Sequence, residues 1–238
     1  MDTIVIIPTY NNAGTVAGVV RRALEQGLPV LVVDDGSTDQ TQAELQAIED
    51  ERLSVFCHPV NQGKAAALKT GFQEARKRGF RFAVTLDSDG QHYPEDIPLL
   101  LAQKAPRTLL VGSRSVRGVN GSSRFANRFS NFWFRLYTWV DLPDTQTGYR
   151  LYPLEDLPRF TGGRYEGELL LLVLSAWKGI ALKPVSVRVD YPEDRVTHFR
   201  PVADFARISL LNTGLLFAAL CYGYPRMLLR KIFAHGTH

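Results

Sequence analysis

Asp87 and Asp89, in the run Val84-Thr85-Leu86-Asp87-Ser88-Asp89-Gly90-Gln91, are the side chains best suited by type and spacing to do chemistry. An apolar stretch stops at two carboxylates one residue apart, followed by a glycine and an amide. Side chains alternate faces along a strand, so carboxylates at i and i+2 at its carboxyl end are expected to point the same way. Left alone they would repel. A divalent cation shared with a diphosphate removes that repulsion, because Mg²⁺ and Mn²⁺ commonly take one or two carboxylates plus substrate phosphates. Read in isolation, the run fits a solvated turn after a buried strand equally well.

Other polar clusters change the balance. Asp34-Asp35-Gly36-Ser37-Thr38-Asp39 offers a carboxylate suited to a ribose or a base edge. Asn61-Gln62-Gly63-Lys64 opens a helical pattern, where free backbone N–H groups favour anions. Gly112-Ser113-Arg114 follows an apolar stretch and supplies a guanidinium for phosphate. Together they describe a nucleotide-diphosphate site with a metal.

The elements that must position these clusters alternate. Apolar runs at Thr3–Ile7, Pro29–Val33, Leu53–Cys57, Arg81–Leu86 and Thr108–Val111 predict strands. Ala13–Gln26, Asp39–Asp50, Gly63–Arg78 and Pro94–Lys104 predict helices, the first capped by Asn12. Such alternation means a mostly parallel α/β sheet with helices on both faces and ligands at the carboxyl ends of the strands. Further on, Ser122–Val140 reads as an amphipathic aromatic helix, Tyr149–Tyr152 and Ile180–Tyr191 as strands, and Glu166–Lys178 as an apolar helix. From Val202 to Phe233 the pattern is helical, with a break expected at Tyr224-Pro225.

Composition narrows the class. With 238 residues, 45% apolar and 22% charged, the chain can bury a full core plus an appendage. The start at Met1-Asp2 lacks a signal-peptide pattern, so a cytoplasmic start is expected. Cys57 and Cys221 lie far apart in apolar stretches and are expected to be buried free thiols. The net charge of +4 is unevenly spread: no acid falls between Asp96 and Asp141 or after Asp204, whereas arginines recur in both blocks. That favours an anionic partner such as a phosphate or an acidic lipid surface, and no zinc spacing or RNA-binding signature points to nucleic acid. Ile208–Tyr224 is apolar but holds Ser209, Asn212 and Thr213, so an interfacial helix or one packed on the domain is expected rather than a span.

In order along the chain, Ile7-Pro8-Thr9-Tyr10-Asn11, Val33–Asp39, Asn61–Lys64, Asp87–Gln91, Gly112–Arg114, Thr147–Tyr152 and His198-Phe199-Arg200-Pro201 resemble the family 2 glycosyltransferases of the GT-A fold, in their polyprenyl-phosphate (dolichol-phosphate mannose synthase-like) branch. The resemblance implies a GT-A catalytic domain over 1–200 and a membrane-interfacial helical segment over 201–238. It implies an enzyme that moves a hexose with inversion from a GDP- or UDP-sugar to a polyprenyl phosphate, peripheral at the inner face of the membrane. Carried over by position, Pro8, Tyr10, Asn12 and Asp35 would contact base and ribose, with Lys64 nearby. Asp87 and Ser88 would lie against the sugar nucleotide, and Asp89 with Gln91 would hold Mg²⁺ or Mn²⁺. Arg114 and Arg200 would face the donor phosphates, and Arg124 and Arg128 the acceptor phosphate. Two departures stand out: Asn12 replaces a frequent glutamate, and the usual glycine-rich stretch after the third strand is reduced to Asn61-Gln62-Gly63-Lys64-Ala65.

A lipid phosphate needs no strong base, since its second pKa is about 6. A sugar hydroxyl on a lipid-linked or soluble glycan would need one, and Asp144 is the candidate, with a turn-capping role as its alternative. A noncatalytic nucleotide-sugar-binding protein would not need the Asp87, Asp89 and Gln91 set. Pro8–Gly14 lacks the glycine-rich basic loop of a nucleotidyltransferase, and the dinucleotide-binding glycine fingerprint is missing.

Overall fold

The computed structural model describes residues 1–114, 121–160, 166–190 and 211–235. Its strands are β1 (Thr3–Thr9), β2 (Val30–Asp34), β3 (Leu53–Cys57), β4 (Phe82–Thr85), β5 (Thr108–Arg114), β6 (Arg150–Pro153) and β7 (Ala181–Val187). They form one seven-stranded sheet in the order β3-β2-β1-β4-β6-β5-β7. Only β6 runs antiparallel, against β4 and β5. The mostly parallel α/β sheet expected from the alternation is the one that forms.

The helices are α1 (Val16–Leu24), α2 (Thr41–Gln46), α3 (Lys64–Lys77), α4 (Ile97–Leu101), α5 (Gly121–Thr138), α6 (Glu166–Lys178), α7 (residues 211–218) and α8 (Tyr224–His235). β1 explains why both faces are covered. Ile4 and Ile6 join a core with Leu68 and Phe72 of α3, Phe134 of α5 and Leu171 of α6. Val5 and Ile7 join the opposite core with Val16 and Val20 of α1 and Ile97 and Leu100 of α4. A strand buried on both faces is apolar at every position rather than at alternate ones. In register, Thr9 lies opposite Asp34 and Asp34 opposite Cys57, so β1, β2 and β3 end in step at one edge of the sheet.

Several sequence expectations need correction. The β4 strand stops at Thr85, because the chain turns at once to bring Asp87–Gly90 over the edge. Strand alternation therefore does not itself orient Asp87 and Asp89. Helix α1 begins at Val16 rather than Ala13, and Asn12 does not cap it with its side chain, whose amide donates to Ser88 Oγ at 2.7 Å. Both cysteines are free, as expected, but exposed rather than buried. Cys57 ends β3, which lies at the sheet edge. The chain does not break at Tyr224-Pro225; a π-helical turn over Ala219–Gly223 leads directly into α8.

Candidate active site

Asp87 and Asp89 lie past β4 in a short turn, and the residue between them fixes it. Ser88 is buried, its hydroxyl accepting from Asn12 and its carbonyl from Thr15 Oγ1 at 2.6 Å. With Ser88 turned inward, Asp87 is left partly exposed and Asp89 exposed. Gln91 N–H donates to Asp89 Oδ1 at 3.0 Å and closes the turn. On the other side Asp190 N–H donates to the Gln91 carbonyl at 2.8 Å, so the segment after β7 borders the same loop.

The two carboxylates have different environments. Asp87 meets Lys64 Nζ at 2.6 Å, and Lys64 in turn meets Glu168 Oε2 at 2.8 Å. Burial alone would push the Asp87 carboxyl up, but Lys64, His92 and Arg150 outweigh it and hold the group below the usual carboxylate range. Burial would likewise push the Lys64 ammonium down, yet Asp87 and Glu168 hold it far above the usual lysine value. Asp89 has an exposed side chain at the cleft mouth. Partial loss of solvent, and next the Asp87 charge, push its carboxyl up. One carboxylate is thus neutralised by the protein, and the other is left wanting a cation.

The backbone around Asp87 explains two glycines. Gly63 adopts φ +93°, a conformation that favours glycine, and delivers Lys64 as the first residue of α3. At Gly148 a Cβ would stand 2.5 Å from an Asp87 oxygen, so any larger residue in the Thr147-Gly148-Tyr149 turn would displace the carboxylate. Behind it Arg150 is 1% exposed and donates to the Tyr152 hydroxyl and to the carbonyls of Thr145 and Glu168.

The other expected site residues fall into groups. Tyr10 is exposed where β1 ends, next to Asn11, whose side chain accepts from Thr38 N–H at 2.8 Å. Pro8 is buried within β1 opposite Val33. Asp35 is buried too. His58 Nδ1 approaches its Oδ1 at 2.6 Å, and the N–H groups of Gln62 and Gly63 donate at 3.0 and 2.7 Å. This carboxylate holds the loop that leads to Lys64, leaving little of it for a ligand. Asp144 is 1% exposed and accepts the Gln146 N–H, as a turn-capping aspartate does. Arg128 is exposed on α5. Arg114 ends β5 and Arg124 lies in α5, with side chains outside the described residues, as is the whole of Arg200.

Sequence reasoning missed Glu168, Arg150 and His58. Glu168 carried only a weak signal: an acid at the head of the run Leu169 to Leu172, where the first turn of a helix favours one in any case. Arg150 stood in a quoted motif without a role. His58 carried no signal, because its partners Asp35 and Thr70 are remote in sequence.

Among the described residues no three His, Cys, Asp or Glu side chains gather into a metal cage. Asp89 and Gln91 supply hard oxygen donors at an open turn. They fit a cation that takes most of its ligands from a diphosphate.

The C-terminal helices pack on α5 and α6. Tyr137 Oη donates to the Asn212 carbonyl at 3.1 Å, Trp177 Nε1 to the Tyr137 carbonyl at 2.9 Å, and Arg230 Nη1 to the Trp177 carbonyl at 3.0 Å. Trp139 stacks on Tyr224 with ring centroids 4.9 Å apart. Their outer surface is apolar and exposed: Phe129, Phe132 and Leu136 on α5, Phe217 on α7, and Leu228, Leu229 and Ile232 on α8. From residue 211 on, one side of the segment packs on the domain and the other faces out, while residues 208–210 lie outside the described residues. No helix among the described residues is long and apolar enough to cross a membrane.

Comparison with known proteins places this geometry. The chain is 37% identical over 171 residues to a polyprenol monophosphomannose synthase of Mycolicibacterium smegmatis, covering 66% of this chain and 63% of the relative. It is 34% identical over 167 residues to an undecaprenyl-phosphate mannosyltransferase of Micrococcus luteus, covering 66% of this chain and 68% of the relative. It therefore spans less than two thirds of the mycobacterial relative's length. Among solved structures, glucosyl-3-phosphoglycerate synthase from Mycobacterium tuberculosis, in complex with Mn²⁺, uridine diphosphate and phosphoglyceric acid, superposes with a TM-score of 0.63 at 21% identity, covering 91% of this chain and 78% of that one. Mannosyl-3-phosphoglycerate synthase from Rubrobacter xylanophilus gives 0.64 at 18%, covering 92% and 74%. Likeness at that identity establishes the fold alone. Residues 4–156, more than half of the chain, match Glycosyl transferase family 2, and the chain belongs to that family.

Proposed function

We propose that this protein transfers a hexose, with inversion, from a GDP- or UDP-sugar to a polyprenyl phosphate. The observation that carries the reading is the unequal carboxylate pair at the strand ends. Asp87 is held ionised by Lys64, while Asp89 stands exposed with a carboxyl pushed up by its neighbour. The names of the relatives support the lipid-phosphate acceptor.

In this reading Asp89 and Gln91 hold Mg²⁺ or Mn²⁺, which when bound supplies positive charge to the departing nucleoside diphosphate. Asp87, braced by Lys64 and Gly148, orients the donor sugar. Tyr10 and Asn12, with Pro8, Asp35 and the inward-turned Ser88 shaping the loops behind them, border the nucleotide. Arg114 and Arg200 stabilise the donor phosphates, and Arg124 and Arg128 bind the acceptor phosphate. The acceptor oxygen is already ionised near neutral pH, so no general base is required. The burial of Asp144 and its turn-capping bond favour this over a hydroxyl acceptor.

Residues 1–200 serve as the catalytic unit and 201–238 as the interfacial segment. The apolar outer face of α5, α7 and α8 lies on the inner leaflet of the membrane, with exposed Arg226 toward anionic headgroups. Each basic residue so placed contributes about 1 kcal/mol.

A panel of radiolabelled nucleotide sugars, incubated with polyprenyl phosphate and Mg²⁺ or Mn²⁺ and extracted into organic solvent, tests the whole reading. Label should enter the organic phase with one donor. Calorimetry should find nucleotide binding weakened when the metal is removed. Label retained only in aqueous products would favour the hydroxyl acceptor, and Asp144→Asn should then abolish turnover.

A further inference from the structure

Lys64 occupies an unfavourable position for a cation, the first residue of a helix, where the free N–H groups carry positive partial charge. Two carboxylates from different elements hold it there: Asp87 beyond β4 at 2.6 Å and Glu168 in the first turn of α6 at 2.8 Å. Only Asp87 belongs to the turn at the cleft. Glu168 is 6% exposed, and its Oε1 is buried without a hydrogen-bond partner among the described residues. A half-satisfied buried carboxylate is costly, and a leucine would serve the packing of α6 better. The nearby cation Arg150 donates to the backbone carbonyl of Glu168, not to its carboxylate. Lys64 is the cation that Glu168 holds by its side chain. An ammonium shared by two carboxylates is drawn both ways. Both contacts are short, so Glu168 pins the ammonium from the side of α6 while it stays in full contact with Asp87.

We propose that Glu168 is a positioning residue for the donor site: it anchors the Lys64 ammonium against Asp87 and so fixes the Asp87 carboxylate for the nucleotide sugar. This rests on reading the Asp87 cleft as the donor site.

The test uses the full chain with GDP-mannose and UDP-glucose as donors and polyprenyl phosphate as acceptor. Glu168→Gln keeps the volume and removes the charge. It should raise the donor KM about tenfold while kcat and the acceptor KM stay within about twofold, the pattern of lost ground-state positioning. Glu168→Asp, which restores the charge on a shorter arm, should recover part of the loss. In a Lys64→Met background, Glu168→Gln should have no further effect on donor KM, because the cation it positions is gone. Circular dichroism on each variant separates unfolding from mispositioning; if Glu168→Gln unfolds, the Glu168→Asp comparison decides alone, a donor KM equal to wild type overturning the proposal. An unchanged donor KM in folded Glu168→Gln, a loss confined to kcat, or the same loss in the Lys64→Met background also overturns it. If the wild-type chain transfers from no nucleotide sugar, the donor-site reading fails as well; if it transfers normally and only the Glu168 results miss, the positioning role alone falls.

Discussion

The two sides of this molecule solve opposite problems with charge. At the carboxyl ends of the parallel strands, acidic and basic side chains are held by protein partners. Asp87 has Lys64, Lys64 has Glu168, Asp35 has His58 and two backbone N–H groups, and Asp96 has Arg188 at 2.6 Å. Across α5, α7 and α8 the exposed surface is apolar, with arginines such as Arg128 and Arg226 set among the rings and leucines. A pre-arranged charged site suits a small polar ligand that must be oriented to within fractions of an ångström. An apolar surface dotted with cations suits a broad, fluid, anionic one.

The sharpest way to break that comparison is at Asp89. Asp89→Asn should lower turnover by about a hundredfold or more, as removal of electrostatic support for a leaving group does, while circular dichroism remains unchanged. Turnover within about threefold of wild type would remove Asp89 from the chemistry. The membrane side is tested by placing charge in its middle. Phe132→Glu with Leu229→Glu should reduce sedimentation with anionic liposomes at low salt and cut transfer to polyprenyl phosphate about tenfold, with nucleotide affinity unaltered. A smaller effect is expected at the border of the two regions. Arg128→Ala should raise the acceptor KM about threefold to tenfold more than the donor KM, and the reverse ranking would move Arg128 to the donor side.

The smallest expected effect sharpens the difference between Asp87 and Asp89. The Asp89 carboxyl is pushed above its unfolded value, so its ionisation in the folded protein weakens stability as pH rises through its folded pKa. In metal-free protein near pH 7, Asp89→Asn should therefore melt about 1–2 °C higher, and the gain should vanish in acid below about pH 4, where both side chains are neutral. Asp87 has the opposite sign. Its carboxyl is held low, so it contributes stability above its unfolded pKa that is lost as pH falls through the folded one, and Asp87→Asn should melt lower near pH 7. Equal signs for the two variants in thermal melts would contradict the environments described for them.

The sequence by itself determined the alternating core and the order of the polar clusters. Leu53–Cys57 and Glu166–Lys178 were readable to the residue, because a short strand-forming run and an apolar helix impose patterns that depend on near neighbours. Asp87 and Asp89 stood out as a candidate pair only beside the other polar clusters, since alone the run fits a solvated turn equally well. Tertiary structure decided what each acid does. Asp35, Asp87, Asp89 and Asp144 look alike in a sequence. Their roles diverge because His58 and the Gln62 and Gly63 N–H groups reach Asp35, Lys64 reaches Asp87, Asp144 caps its own turn, and Asp89 is left at the rim. Those partners come from distant segments, and a carboxylate's protonation and availability depend on which charges lie within a few ångströms rather than on its neighbours in the chain. The same holds for Glu168 and Lys64, 104 positions apart by subtraction of their numbers, which only the packing of α6 beside α3 brings to 2.8 Å.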